Sequence, residues 1–281
     1  MNEKEFNIDL IANIWKQTKK EGKSSRIIPY HYGSYEMYGI AIYNQKKNQE
    51  IVIFPHVHFD RLKSGEPMIK ILDSPQALIQ ECEKMKISED CLVKEHAIKH
   101  LRLAITSYEE NKEWIRNIPY KKLEDLAVYV QWWINEKVCI DVTYEMLDQL
   151  KMSQYEIFDV TKKSMEDSIC LYDMDDIINQ HLLRPLDKVC QDMYVLTTEH
   201  LKNGAASIAS HAILESIYQR LGTSYYILPS SVHEVILVTR QGINEEMLKE
   251  MVESINMEYL LPWDKLSDHV YKFDGQFHMV I

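Results

Sequence analysis

Apolar residues recur at helical spacing as the chain opens. Phe6, Leu10, Ile11, Ile14 and Trp15 line one face of a predicted amphipathic helix. The pattern then changes period. Residues 35–43 (YEMYGIAIY) and 50–57 (EIVIFPHV) read as two strands, joined through the polar NQKKNQ as a hairpin. Ser74-Pro75 is a helix-start signal, with serine as N-cap and proline in the first turn, for a helix carrying Ala77, Leu78 and Cys82. A further helical stretch is predicted from about Cys91 to Ile105.

The polar run from Glu109 to Pro119 divides the chain into two expected lobes, an N-terminal α+β lobe over 1–112 and a C-terminal α+β lobe over 113–281. Beyond it, Leu123 to Ile134 is apolar nearly throughout, and its β-branched and aromatic residues predict a buried strand. Val138 to Val142 reads as its partner. Thr143 is placed to cap a short helix with Met146, Leu147 and Leu150. Ser153 and Glu156 form a capping-box pattern for a helix reaching Met165. Met193 to Thr197 predicts a strand. Asn203-Gly204 predicts a turn into a helix over Ala205 to Leu221, stopped by Gly222. Strands at 225–229 and 233–238, a helix capped by Asn244 and a short edge strand in LSDHVYKFDG complete the pattern. Strands and helices do not alternate as βαβ units, so the class expected is α+β, with mixed, mostly antiparallel sheets.

Composition narrows the function classes. A formal charge of −11, from 43 acidic and 32 basic residues, repels phosphate backbones and argues against nucleic-acid binding. Five cysteines, widely spaced and without a CxxC pair, predict free thiols and a reducing, cytoplasmic setting. No apolar run approaches the roughly 20 residues that span a bilayer, so no membrane association is expected.

Several blocks carry a resemblance. MYVLTT, NGAASI, YYILPSSVHEVILV, INEEMLKEMVESIN and LSDHVYKFD, with NIPYKKLEDLAVYV and MLDQLKMSQYEIFDV upstream, resemble a family of uncharacterised bacterial proteins, a domain of unknown function. The resemblance implies a shared fold and transfers no catalytic residue. PHVHFD at 55–60 departs from the tyrosine-rich strand end expected there.

Candidate chemistry gathers in the block from Tyr225 to Val238, where Ser230, Ser231, His233 and Glu234 lie between two apolar runs. On one extended segment Ser231 and His233 would share a face with Cα atoms about 6.5 Å apart. A serine–histidine pair needs a hydrogen bond of about 2.6–3.2 Å, so turn and strand-end roles for these side chains are favoured. A second set is His56, His58 and Asp60, alternate residues of an expected strand and so on one face. His96 and His100 stand four apart on an expected helix, and together the five would suit zinc or manganese. Asp173, Asp175 and Asp176 read as helix-start carboxylates. Tyr129, Trp132 and Trp133 read as strand core, and Met247 and Met251 as helix core. The function expected is non-catalytic binding of a macromolecule, most simply a protein, or of a small ligand, without a cofactor. A hydrolase using Ser231, His233 and Glu234 or the histidine set is the alternative, and an acidic inhibitor of a nucleic-acid enzyme a third reading.

Overall fold

Asn2 and Glu5 cap each other's backbone N–H groups at 2.9 Å and start α1 (Glu3–Lys20). The computed structural model to which it belongs describes residues 2–32, 35–45, 49–84, 94–134, 139–180, 190, 192–240, 242–258, 260 and 264–281. The chain forms two compact units, Met1–Ser88 and Glu89–Ile281.

In the first unit, β1 (Ser24–Tyr32), β2 (Tyr35–Asn44) and β3 (Gln49–Ile53) form an antiparallel sheet in that order. The expected hairpin is present, with residues 46–48 of its turn outside the described residues. Phe6, Leu10 and Ile14 of α1 are fully buried in a core with Ile40, Ile42 and Ile53. Trp15, expected on that face, lies at its margin and is 64% exposed. The second expected strand ends early, because Pro55 opens a helix, α2 (Pro55–Lys63), instead of extending β3 to Val57. Ser74-Pro75 does not start a helix either. Both residues lie inside α3 (Met68–Lys84). Pro75 has no N–H for the carbonyl of Ile71, and the Ser74 hydroxyl donates to that oxygen at 2.8 Å.

The stretch expected to be one helix, from about Cys91 to Ile105, lies at the start of the second unit. Residues 91–93 lie outside the described residues, α4 covers only Lys94–Ala97, and a 3-10 turn follows at Ile98–His100. Leu101–Ser107 is then a strand, β4, paired along its whole length with β6 (Leu126–Trp133). The polar stretch expected as a lobe boundary is α5 (Tyr108–Ile115), capped by Ser107 and burying Asn111 and Ile115. The pairing of β4 with β6 explains why the units divide near residue 88 and not at 112. β5 (Tyr120–Leu123) and β7 (Cys139–Asp141) complete this sheet, pairing one after the other with β6 along the edge opposite β4. Its partner β7 was anticipated, apart from Val138, which lies outside the described residues.

α6 (Tyr144–Leu150) and α7 (Gln154–Glu166) start at Thr143 and Ser153, as their caps predict. β8 (Ile169–Asp173), α8 (Met174–Gln180) and β9 (Met193–Thr198) follow. The predicted helix over 205–221 is broken by Ser210 into a 3-10 segment, Gly204–Ala209, and α9 (His211–Leu221). β10 (Tyr225–Pro229), β11 (Val235–Val238), α10 (Glu245–Glu258), β12 (Tyr271–Phe273) and β13 (Phe277–Met279) end the chain. A six-stranded antiparallel sheet runs β13-β12-β10-β11-β9-β8. β12 is therefore interior, and β13 takes the edge expected of it. The class is α+β.

Strand alternation decides the layers. Leu126, Val128, Val130 and Trp132 of β6 enter the main core with Ile227, Val235 and Leu237 of the larger sheet, packed by α7 and α9. Ala127 and Tyr129 face the other way, onto Ile115 and Ile118. On the outer face of the six-stranded sheet, Leu228, Ile236 and Val238 pack on Leu248 and Val252 of α10. Met247 and Met251, expected in that core, are 57% and 38% exposed. Among the described residues, no helix is long and apolar enough to cross a membrane.

Leu237 has no exposed surface. Leu237→Ala is expected to lower unfolding free energy by about 2–5 kcal/mol in urea titration, and a loss under about 1 kcal/mol would contradict its place in the core.

Candidate functional site

The block from Pro229 to Glu234 forms the turn between β10 and β11. The Ser231 N–H donates to Glu234 O at 3.1 Å, and Ser231 Oγ accepts the His233 N–H at 3.0 Å. Ser231 is buried and its oxygen closes a serine turn on the backbone. No hydrogen bond joins that hydroxyl to the imidazole among the described residues, and Ser230 and Glu234 are half-buried on the same turn. Sequence proximity brings these residues together without pairing them as nucleophile and base.

His233 works in another direction. Its carbonyl accepts the Gly204 N–H and the Thr197 hydroxyl, each at 2.9 Å. Its Nδ1 accepts the Asn203 N–H at 3.4 Å, and its Nε2 lies 3.7 Å from Asp264 Oδ1. Burial pushes the Asp264 carboxyl up, against the opposing pull of His233. Asn203 is left-handed, with φ 56°. Its amide donates to Gln131 Oε1 at 2.8 Å, and Gln131 Nε2 donates to Asp141 Oδ1 at 3.1 Å. The signature turn thus holds the loop after β9 from behind.

That loop forms one wall of a cavity of about 360 Å³. Thr198 Oγ1 accepts the Lys202 N–H at 3.2 Å and donates to Lys202 O at 2.9 Å, which tightens the wall. His200, Lys202 and Asn203 line it together with His100, Arg102 and Leu103, with Trp133 and Ile134 at the end of β6 and Met165 and Ser168 at the end of α7. The Lys202 ammonium stands 5.1 Å from the Trp133 ring centroid, within cation–π range. No carboxylate lines the cavity among the described residues. Sequence reasoning placed Trp133 and His100 elsewhere in its scheme and did not bring Arg102, His200 or Lys202 forward. Their convergence depends on β4, β6 and β9 meeting at one end.

His56, His58 and Asp60 do not share the strand face expected of them. They sit on α2, where alternate residues point to nearly opposite sides. Burial lowers the pKa of His56, with Asp60 and Glu3 opposing. His58 is buried, with Nδ1 3.3 Å from both Arg61 Nη1 and Ser74 Oγ, while Arg61 grips Glu66 through two bonds at 2.7 and 2.8 Å. Burial, then the Arg61 charge, brings the His58 pKa down to about 4. His96 is on α4 with its side chain outside the described residues, and His100 ends the 3-10 turn. Among the described residues no cluster of three or more His, Cys, Asp or Glu could hold a metal ion. The aspartates behave as helix-start groups: Asp173 Oδ1 accepts the Asp175 N–H, and buried Asp175 accepts the Cys190 N–H, both at 2.9 Å.

One polar constellation has no counterpart in the sequence reading. Ser267 Oγ and His269 Nδ1 both reach Asp125 Oδ2, at 2.8 and 2.9 Å, and Tyr271 donates to Oδ1 at 2.6 Å. Burial and the adjoining Asp125 carboxylate push the Tyr271 phenol far up. Composition suggests a Ser-His-Asp triad, but the geometry differs. A triad puts serine on the imidazole nitrogen remote from the carboxylate, whereas here the hydroxyl and the ring share the same nitrogen side at 3.1 Å. The cluster clamps the β5–β6 turn to the segment before β12. The spacing of Ser267, His269 and Tyr271 is visible in sequence, but Asp125 lies 142 residues from Ser267.

The family model of unknown function, DUF5688, matches residues 4–275. The chain belongs to that family. No curated protein and no solved structure matches it. The DUF5688 match spans both compact units, so the cavity and the α2 histidines lie within one family domain.

Two outcomes are expected. Because the unfolded chain protonates its histidine near 6.5 and folded His58 only near 4, stability is full above pH 6.5 and falls as pH drops from 6.5 to 4. Denaturation midpoints at pH 7 and pH 5 should differ less in His58→Gln than in the parent protein. An unchanged pH slope would contradict the assignment. At Gly204, an added Cβ would lie 2.5 Å from Thr197 Cα and 2.6 Å from His233 O. Gly204→Ala should therefore cost about 1–3 kcal/mol in the same assay.

Proposed function

We propose that this protein is a non-catalytic binding protein whose second unit takes a small ligand into the cavity bounded by β4, β6 and the loop after β9. The observation that carries the proposal is the cavity of about 360 Å³, where apolar Trp133, Leu103 and Met165 meet convergent polar groups. Ligand sites have this composition and start near this size, at about 300 Å³. The hydroxyl expected for hydrolysis supports the same reading, since Ser231 Oγ accepts the His233 N–H within its own turn. The net charge of −11 favours a small molecule or a protein over a nucleic-acid backbone. The free thiols of Cys139, Cys170 and Cys190 favour a reducing compartment, and we place the protein in the cytoplasm on that basis.

The test is a thermal-shift screen of small metabolites against the parent protein and Ser168→Trp, which fills the cavity from its rim. Ligands are expected to raise the melting temperature of the parent and to leave the variant unmoved. Equal shifts in both proteins would place binding elsewhere. Turnover of ester or amide substrates by the parent but not by Ser231→Ala would replace binding with hydrolysis. Otherwise Ser231→Ala should only cost the turn, by about 0.5–1.5 kcal/mol.

A further inference from the structure

Arg102 stands on β4 directly opposite Gln131 of β6, the residue that anchors Asn203. The Arg102 side chain is half-buried at the cavity. Nη1 is committed to two carbonyl oxygens, Lys99 O at 2.9 Å and Leu101 O at 2.8 Å. Among the described residues, Nε and Nη2 make no hydrogen bond and no carboxylate forms an ion pair with the group. Burial lowers the arginine pKa, and no acidic neighbour offsets it. A cation taken partly out of water without a counter-charge is costly, and an anion supplied from outside relieves that cost.

The open edge has a shape. With Nη1 occupied, the remaining donors are the parallel pair on the Nε and Nη2 side, which matches two oxygens of one oxyanion. Lys202 brings a further positive charge to the lining, in a chain whose net charge is −11. The indole of Trp133 and the side chains of Leu103 and Met165 line the rest of the space. Resting on the small-ligand reading above, we infer that the ligand is an organic oxyanion, a carboxylate or phosphate monoester on an apolar or aromatic body, held side-on by Arg102 with its body against Trp133.

Isothermal titration with four probes tests this: phenyl phosphate, benzoate, inorganic sulfate and the neutral benzyl alcohol. Phenyl phosphate or benzoate is expected to bind about tenfold or more tighter than benzyl alcohol and than sulfate, and the better of the two identifies the head group. Arg102→Met should weaken the preferred anion by about tenfold or more while leaving benzyl alcohol within about twofold. Arg102→Lys keeps the charge but loses the fork, and should recover only part of the affinity. Lys16→Met, the same charge loss on α1, should change nothing. If benzyl alcohol binds as well as the anions, or if Arg102→Met leaves anion binding intact, the oxyanion inference is overturned while the small-ligand reading stands. If none of the four probes binds the parent protein, the inference fails. The metabolite screen then decides the small-ligand reading separately.

Discussion

The close approach at Gly204 governs the second unit. Its Cα lies so near the Thr197 backbone and the His233 carbonyl that no side chain fits between them. Gly204, Ala205, Ala206 and Ser207 are all fully buried, and the segment they form touches both β4 and β9. Small residues permit that contact, and bulky ones would push the two sheets apart. Asn203, at the head of the segment, is left-handed. Asn203 can then reach Gln131 with its side chain and His233 with its backbone. The cavity wall follows from a packing requirement of the core.

Local signals were legible where one segment settles its own fate. The caps at Thr143, Ser153 and Asn244 start the helices they predict, because capping is a bargain among residues within four positions. β6 was legible from an apolar run that only Gln131 interrupts. Signals failed where a partner far along the chain decides. Leu101–Ser107 has helix-compatible spacing but becomes a strand because β6 offers it a full ladder. Pro75 reads as a helix start, yet α3 runs through it once the Ser74 hydroxyl serves the orphaned carbonyl. Met247 and Met251 share a helical period with Leu248 and Val252 but sit on the solvent side of α10.

The candidate site was legible only in part. The signature turn was conspicuous, and its polar residues suggested chemistry of their own. In the fold, Ser231 closes the turn and His233 braces the loop after β9. The cationic lining could not be found from composition, since a total of −11 carries no information about where the positive groups lie. Arg102 and Lys202 stand a hundred positions apart and meet only in the folded unit. Asp125 makes the same point, as its three donors all come from the last strand region.

The cavity draws its walls from four stretches, near residues 100–103, 133–134, 165–168 and 198–203. No fragment shorter than most of the second unit contains them all. Anything that settles there fastens the ends of β4, β6 and β9 to one another, so its binding free energy adds to that of the folded unit as a whole. On the binding reading proposed above, occupancy would slow proteolysis of the second unit, since less of it would be open at any moment.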